Sequence, residues 1–200
     1  LGVMGEAQML AESSIHWGSE NHLKKIDAIM EAISYNTIKS SSLIAREKGS
    51  YPTFEGSNWS KGIMPHDHAP KAVNALVEKD LFDASYDWDV LREQVKKDGM
   101  RNGYLMAIAP TSSISILVGT TQAIEPVFKR KWFEENLSGL IPVVVPKLSP
   151  ETWSYYTPAF DVEQTDIIKA AAVRQKWIDQ GQSTNIFMSL DKASGRYLHE

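Results

Sequence analysis

The sequence predicts an α/β fold that is rich in helix and contains a few short buried strands. A long segment that starts at Ser19 and stops at Gly49 has apolar residues three or four positions apart, which is typical of an amphipathic helix. Tyr104 to Ala109 form an uninterrupted apolar run that ends at Pro110, and so short a run is typical of a strand buried on both faces. The chain has 200 residues, 42% of them hydrophobic, which is enough for a core.

Four further helices are predicted from apolar spacing and from residues that end helices. The first is a short amphipathic helix within residues 1–15. Two modest helices follow at residues 71–80 and 88–97, and Gly99 ends the second of them. The last strong helix runs from about residue 163 to residue 180, so helices take up much of the chain.

A hairpin is predicted from two strand-like segments, residues 128–133 and 141–145, around a turn at residues 134–139. Residues 185–190 predict another buried strand. Lys129, Arg130 and Lys131 could face a phosphate, but cations are more common on the exposed edge of a sheet, and we interpret them in that way.

The loop at residues 50–70 contains one metal-like cluster, His66-Asp67-His68. Two histidines at positions i and i+2 reach one metal ion only from an extended backbone, and no third or fourth ligand is evident in the sequence. A plain polar turn is therefore favoured over a metal site. Tyr51, Phe54 and Trp59 are expected to hold this loop in an ordered conformation.

Composition excludes several functional classes. A net charge of −4 and a pI near 5.8 give no general attraction for nucleic acid or for anionic membranes, so an anionic ligand would need a local site. The chain has no cysteine, which excludes disulfides, zinc–thiolate sites and thiol chemistry within it. No signal peptide or membrane-spanning run is evident, and a cytoplasmic protein is expected.

The candidate site is the hydroxyl-rich turn that follows the apolar run at residues 104–109. It comprises Pro110, Thr111, Ser112, Ser113, Ile114 and Ser115, and a short helix is expected from Ile114 onward. Backbone N–H groups at a helix start carry partial positive charge, and small side chains let a phosphate approach them. Ser and Thr are also ordinary N-cap residues, and most such turns bind only water, so both interpretations stay open on the pattern alone.

A set of motifs in consistent order resembles the large, catalytic subunit of aerobic class I ribonucleotide reductase. The motifs are Arg101-Asn102, APTSSIS, Ile124-Glu125-Pro126, Leu137-Ser138-Gly139 and RQKWIDQGQSTN, together with LGVMG, AISYNTIKSSSLIA, REKGSYP and WSKGIMP. The agreement covers nearly the whole chain, and several ordered motifs are far more specific than any one alone.

The resemblance implies a fold and a site. Members of this family form a ten-stranded α/β barrel of two antiparallel halves around a loop that bears a radical cysteine. Residues 1–200 resemble the C-terminal part of that barrel domain, without the central loop and the C-terminal tail. By the same resemblance, the turn from Pro110 to Ser115 holds the substrate diphosphate, largely through backbone N–H groups.

The catalytic residues of the family have no counterpart in this chain. The radical cysteine, the redox cysteine pair and the Asn and Glu that handle substrate protons correspond to positions before Leu1, and the radical-transfer tyrosine pair corresponds to positions after Glu200. Tyr155-Tyr156 stands in a different sequence context, and an aromatic, structural role is expected for it. The resemblance therefore implies a fragment that is not active alone.

The resemblance also implies partners and cofactors for the whole enzyme. These are a ribonucleoside diphosphate substrate, the remainder of the large subunit, a second large subunit, and a small subunit with a dimetal site and a tyrosyl radical. Nucleotide effectors, ATP among them, and a thiol reductant are expected as well, whereas this segment is expected to bind no metal, no DNA or RNA and no membrane. The product would be deoxyribonucleotides for DNA replication.

Two alternatives remain. The cobalamin-dependent class of the same enzyme carries a similar Ala-Pro-Thr turn, although QSTN after Asp179 is more similar to class I. A noncatalytic split-gene piece that only docks to the rest of the subunit is the alternative from another functional class. A requirement for a separate radical-generating subunit distinguishes the first, and co-expression with the upstream segment distinguishes the second.

Overall fold

The computed structural model describes residues 1–77, 86–136, 139–189 and 195. The chain divides into two compact units, each built from separate stretches of sequence. The first unit contains Leu1–Gly2, Leu23–Ala107 and Lys169–Gln182. The second unit contains Val3–His22, Ile108–Ile168 and Ser183–Glu200.

Helices dominate the described residues, as the sequence predicts. The α-helices are α1 (Glu6–Glu12), α2 (Glu20–Lys48), α3 (Lys71–Asn74), α4 (Trp88–Asp98), α5 (Ser112–Val118) and α6 (Gln164–Gln175). Short 3₁₀ turns cover Pro65–His68 and Ala159–Asp161. The strands are β1 (Lys131–Asn136) and β2 (Gly139–Val144). No helix in the described ranges is long and apolar enough to cross a membrane.

Helix α2 begins and ends where the sequence predicts. The Ser19 hydroxyl accepts a hydrogen bond from the His22 backbone N–H at 3.2 Å, which satisfies one of the free donors of the first turn. Gly49 ends the helix with a positive φ of 82°, and its N–H donates to the Ala45 carbonyl at 2.7 Å. The apolar face is buried at Leu23, Ile26, Met30 and Ile38. Lys25, Lys39, Arg46 and Lys48 are exposed.

Other helices are shorter than predicted. Helix α1 starts only after Gly5, which has a φ of 84° and donates its N–H to the Ala123 carbonyl at 3.1 Å. Helix α6 ends at Gln175, and residues 177–178 continue in i→i+3 turns. Helix α3 covers only Lys71–Asn74, and the rest of that prediction extends into residues 78–85, which lie outside the described residues.

Helix α4 confirms its prediction almost to the residue. Asp87 caps it, because its carboxylate accepts the Val90 N–H at 2.9 Å. Gly99 ends it with a φ of 80°. Local capping residues are therefore reliable guides to its bounds.

Residues 104–109 do not form the strand that their apolar run predicts. Tyr104 is 77% exposed, so the segment is not buried on both faces. In the first unit its backbone is held by a few bonds to separate segments: the Leu1 amino group donates to the Leu105 carbonyl at 2.6 Å and the Leu1 carbonyl accepts the Ala107 N–H at 2.8 Å. The Gln180 N–H donates to the Met106 carbonyl at 3.1 Å. A strand assignment needs a continuous ladder of such bonds, which the apolar run alone cannot reveal.

The predicted hairpin is present, with strands whose bounds differ by a few residues from those expected. Strands β1 and β2 pair antiparallel from Lys131 opposite Val144 to Asn136 opposite Gly139. The Leu137-Ser138 connection lies outside the described residues. Residues 185–189 do not form the predicted strand, and Leu190 lies outside the described residues.

A cluster of buried side chains forms a core in the second unit. Its members are Ala7, Ala11, Val127, Val145 and Tyr156, with Trp132, Leu148 and Tyr155 packed against them. The Tyr156 hydroxyl donates to the Pro146 carbonyl at 2.7 Å. Burial raises the pKa of Tyr156 to about 12. The structural role expected for Tyr155-Tyr156 is confirmed.

Candidate functional site

The predicted phosphate turn lies in the second unit and leads directly into α5. Thr111 precedes the helix in the left-handed conformation, with φ 53° and ψ 23°. Helix α5 starts at Ser112 and not at Ile114 as predicted, because the Ser115 N–H already bonds to the Thr111 carbonyl at 2.9 Å. The turn and the first helical residues are therefore one structural feature.

Three consecutive backbone N–H groups point away from the helix at this end. Among the described residues, no acceptor is found for the N–H groups of Ser112, Ser113 or Ile114. All three residues are exposed. Free N–H groups at a helix start carry partial positive charge and can donate to an anion. The turn therefore offers donors of the kind that the phosphate hypothesis requires, and the hypothesis itself stays a prediction.

The hydroxyl groups of the turn divide into two kinds. Thr111 Oγ1 accepts the Ala123 N–H at 2.9 Å, and the buried Ser115 hydroxyl donates to the Ser112 carbonyl at 2.9 Å. The side chains of Ser112 and Ser113 are exposed, as is Pro110. Two hydroxyls thus serve the turn itself, whereas those of Ser112 and Ser113 face outward.

A hydrogen-bonded pair in the second unit, Glu125 and Asn185, was missed by the sequence analysis. Ala123 adopts a left-handed φ of 50°, and the next residue but one, Glu125, is buried. The Glu125 carboxylate accepts the Asn185 backbone N–H at 2.7 Å and the Asn185 side-chain amide at 3.0 Å on each oxygen. Both residues belong to quoted motifs, but only the folded chain brings positions 60 apart into contact.

Of the three cations near the hairpin, only Lys131 lies on a strand as predicted, because Lys129 and Arg130 precede β1. Arg130 Nε donates to the Trp153 carbonyl at 3.0 Å, and its guanidinium lies 5.0 Å from the centre of the Trp153 ring. The Lys131 ammonium lies 5.4 Å from the same ring. Cation–π contact with Trp153 is therefore the interaction that holds these side chains.

The metal-like cluster of the first unit is a polar turn. Asp67 Oδ2 accepts the Met64 N–H at 2.7 Å, and the same carboxylate forms a two-point contact with Arg92 at 2.6 and 3.1 Å. Hydrogen bonding from Arg92 lowers the pKa of Asp67. In the part of the chain that the structure describes, no three His, Asp or Glu side chains are grouped to hold a metal ion.

A cleft of about 920 Å³ in the first unit is lined by Trp59, Met64 and Tyr104 among others. Its charged side chains have structural partners. The Asp179 carboxylate accepts the N–H groups of Leu105 and Met106 at 2.9 and 2.7 Å, and Lys176 pairs with Asp27 at 2.7 Å. Asp179 and Lys176 are therefore both engaged in contacts within the protein.

Comparison with known sequences identifies the family of this chain. The sequence model described as "Ribonucleotide reductase, barrel domain" matches residues 1–200. The chain belongs to that family. The ten-stranded α/β barrel expected from the motifs is thus the fold to which this helix-rich chain contributes.

The most similar relatives found carry one name, "Ribonucleoside-diphosphate reductase subunit alpha". The relative from Helicobacter pylori strain J99 is 67% identical over 200 residues, which is 100% of this chain and 25% of that protein. The relative from Treponema pallidum is 43% identical over 191 residues, 96% of this chain and 21% of that protein. The chain spans about a quarter of the length of its Helicobacter relative.

Proposed function

We propose that this chain is part of a ribonucleoside-diphosphate reductase large subunit and that it supplies the turn that holds the substrate diphosphate. The whole enzyme replaces the ribose 2′-hydroxyl by hydrogen through protein-radical chemistry. The observation that carries the proposal is the set of three outward N–H groups at Ser112, Ser113 and Ile114, within the motif that the family resemblance assigns to phosphate binding. The name of the relatives supports the reaction class.

The contribution of the turn is orientation. A diphosphate fixed by backbone donors holds the attached ribose in one place, which turns a loose encounter into a positioned reaction. Backbone N–H groups on a turn that is held by its own hydroxyls need no rearrangement when the anion binds. The radical cysteine that attacks the ribose belongs to the part of the subunit outside this chain.

The remaining partners follow from the same assignment. The large subunit would dimerise, receive its radical from a small subunit with a dimetal site, respond to nucleotide effectors and be restored by a thiol reductant in the cytoplasm. None of these groups is assigned to a residue of this chain. Activity that depends on a separate small subunit would distinguish this assignment from the cobalamin-dependent class.

The test replaces a single backbone N–H in the full-length large subunit. A backbone ester at position 113, made with lactic acid, removes the Ser113 N–H, and the matched control Ser113→Ala has the same side chain and keeps the N–H. Loss of one hydrogen bond to a charged group corresponds to a rise of roughly tenfold or more in the dissociation constant. We expect that rise for a ribonucleoside diphosphate with the ester and not with the control, measured by equilibrium binding.

If the ester and Ser113→Ala both bind the ribonucleoside diphosphate as tightly as the unaltered subunit does, the proposal is wrong. A loss that is as large with Ser113→Ala would assign the binding to the hydroxyl and not to the backbone. Thermal melting of both proteins confirms that the comparison is made between folded subunits.

A further inference from the structure

We propose that Glu125 is a positioning residue for the phosphate turn, and that its carboxylate acts by joining the two segments that hold the start of the turn. The inference rests on the proposed function, because it concerns how that site is kept in shape. It assigns no contact with substrate to Glu125. Three links within the second unit carry the argument.

The first link ties the residue before α5 to the Glu125 segment. Thr111 Oγ1 accepts the Ala123 N–H at 2.9 Å. Ala123 is two residues before Glu125, and Ile124 between them is buried with 1% of its surface exposed. A displacement of Glu125 is therefore transmitted through a short, packed stretch of backbone to Thr111.

The second link ties the residues just before the turn to the Asn185 segment. The Ser183 N–H donates to the Ile108 carbonyl at 2.9 Å, and Ile108 lies three residues before Thr111. Asn185 is two residues after Ser183. The start of the turn is therefore anchored twice, to residues 183–185 through Ile108 and to residues 123–125 through Thr111.

The third link closes the arrangement between these two anchors. The Glu125 carboxylate, on a residue that is 6% exposed, receives three hydrogen bonds from Asn185 at 2.7, 3.0 and 3.0 Å. Both groups of Asn185 that face it are donors, so a carboxylate, which only accepts, matches them. A glutamine at position 125 would place one of its own donors against the Asn185 amide.

The backbone of the turn depends on this closed arrangement. Thr111 and Ala123 both have positive φ values, 53° and 50°, although neither is glycine. A left-handed conformation is unfavourable for residues with a Cβ atom, and it persists where the surroundings fix it. Opening the link at Glu125 would let Thr111 relax, and the N–H groups of Ser112 to Ile114 would no longer be held in their present positions.

The experiment uses the full-length large subunit with its small subunit and compares Glu125→Gln with Glu163→Gln, an exposed glutamate of the same unit. We expect Glu125→Gln to raise the dissociation constants of the ribonucleoside diphosphate and of inorganic pyrophosphate roughly tenfold, because small displacements of a positioning group have large effects. The control should leave both constants unchanged. Binding of a nucleotide effector should be the same in both variants.

Exchanging the carboxylate and the amide between positions 125 and 185 tests whether their hydrogen bonds, and not stability in general, support binding. In the double variant Glu125→Gln with Asn185→Asp, the side-chain oxygen of the introduced glutamine can accept the backbone N–H of residue 185, and its amide can donate to the introduced carboxylate. We expect pyrophosphate affinity to return to within about threefold of the unaltered protein, which is under 1 kcal/mol. If Glu125→Gln fails to fold, Asn185→Ser is a milder variant, because it keeps the backbone hydrogen bond to Glu125. We expect an intermediate loss of pyrophosphate affinity for it.

The outcomes separate this inference from the proposed function. If the ester at position 113 leaves diphosphate affinity unchanged, the proposed function is wrong. If the ester weakens diphosphate binding but the folded Glu125→Gln variant binds pyrophosphate with unchanged affinity, only the positioning role is wrong. The folded Asn185→Ser variant serves in the same comparison if Glu125→Gln does not fold. Equal losses of effector and pyrophosphate affinity, or no recovery in the swapped pair, would also overturn the positioning role.

Discussion

Helices α2 and α5 are held in place by different forces. Helix α2 buries one apolar face, on which Ile26, Met30 and Ile38 are no more than 3% exposed. Along the seven residues of α5, Ile116 and Leu117 are 74% and 83% exposed, so burial contributes little to the position of this helix within the described structure. Hydrogen bonds at its start fix α5 instead.

The difference shows that one kind of contact stabilises the fold and another orients the candidate site. Burial is the main favourable term in folding, and it needs no particular direction. A binding turn needs directed donors, and hydrogen bonds such as that between Thr111 and Ala123 supply direction. The candidate site therefore lies where the chain is organised by polar contacts and not by its core.

The largest effect is expected from core truncation in α2. Ile38→Ala removes a side chain with 0% exposure, and the lost burial and the cavity should lower the free energy of unfolding by about 2–5 kcal/mol. Ile116→Ala in α5, at 74% exposure, should change it by under about 0.5 kcal/mol. Urea denaturation of the same 200-residue chain measures both. Similar losses in the two variants would show that α5 is also held by burial.

A smaller effect is expected from removing the hydroxyl that holds α5. Thr111→Val keeps the shape of the side chain but leaves the Ala123 N–H without its acceptor, which should lower stability by about 1–3 kcal/mol. Thr111→Ser keeps the acceptor and serves as the control. Amide hydrogen exchange at Ala123 should accelerate in the valine variant only. Equal protection in both variants would contradict the hydrogen-bonded account of α5.

The smallest effect is electrostatic and concerns the first unit. Because contact with Arg92 holds the pKa of Asp67 below its ordinary value of 3.8, this carboxylate stabilises the fold at higher pH, and the contribution is lost as the pH falls through the lower folded value. Asp67→Asn should therefore lower stability at pH 7 by no more than about 1 kcal/mol, since the pair is partly exposed. The difference from the unaltered chain should shrink in acid. Denaturation at several pH values tests this, and a constant difference would exclude the ion pair as its source.

The sequence alone determined those features whose cause is local. Ser19 and Gly49 bound α2, and Asp87 and Gly99 bound α4, because capping groups bond to residues three or four positions away. Ordered motifs determined the family in the same way, since each is a short run that can be recognised without knowing the fold. The hydroxyl-rich turn was located from such a run, and its role in binding diphosphate stays a prediction.

Only the tertiary structure decided which distant residues contact one another. Whether residues 104–109 form a strand depends on neighbours such as Leu1 and Gln180, and the apolar run contains no information about them. The contact between Glu125 and Asn185 joins positions 60 apart, and its partners are chosen by how the chain packs. Local hydrogen bonds have short sequence separations and leave a pattern, whereas contacts between distant segments form only when folding brings their groups together.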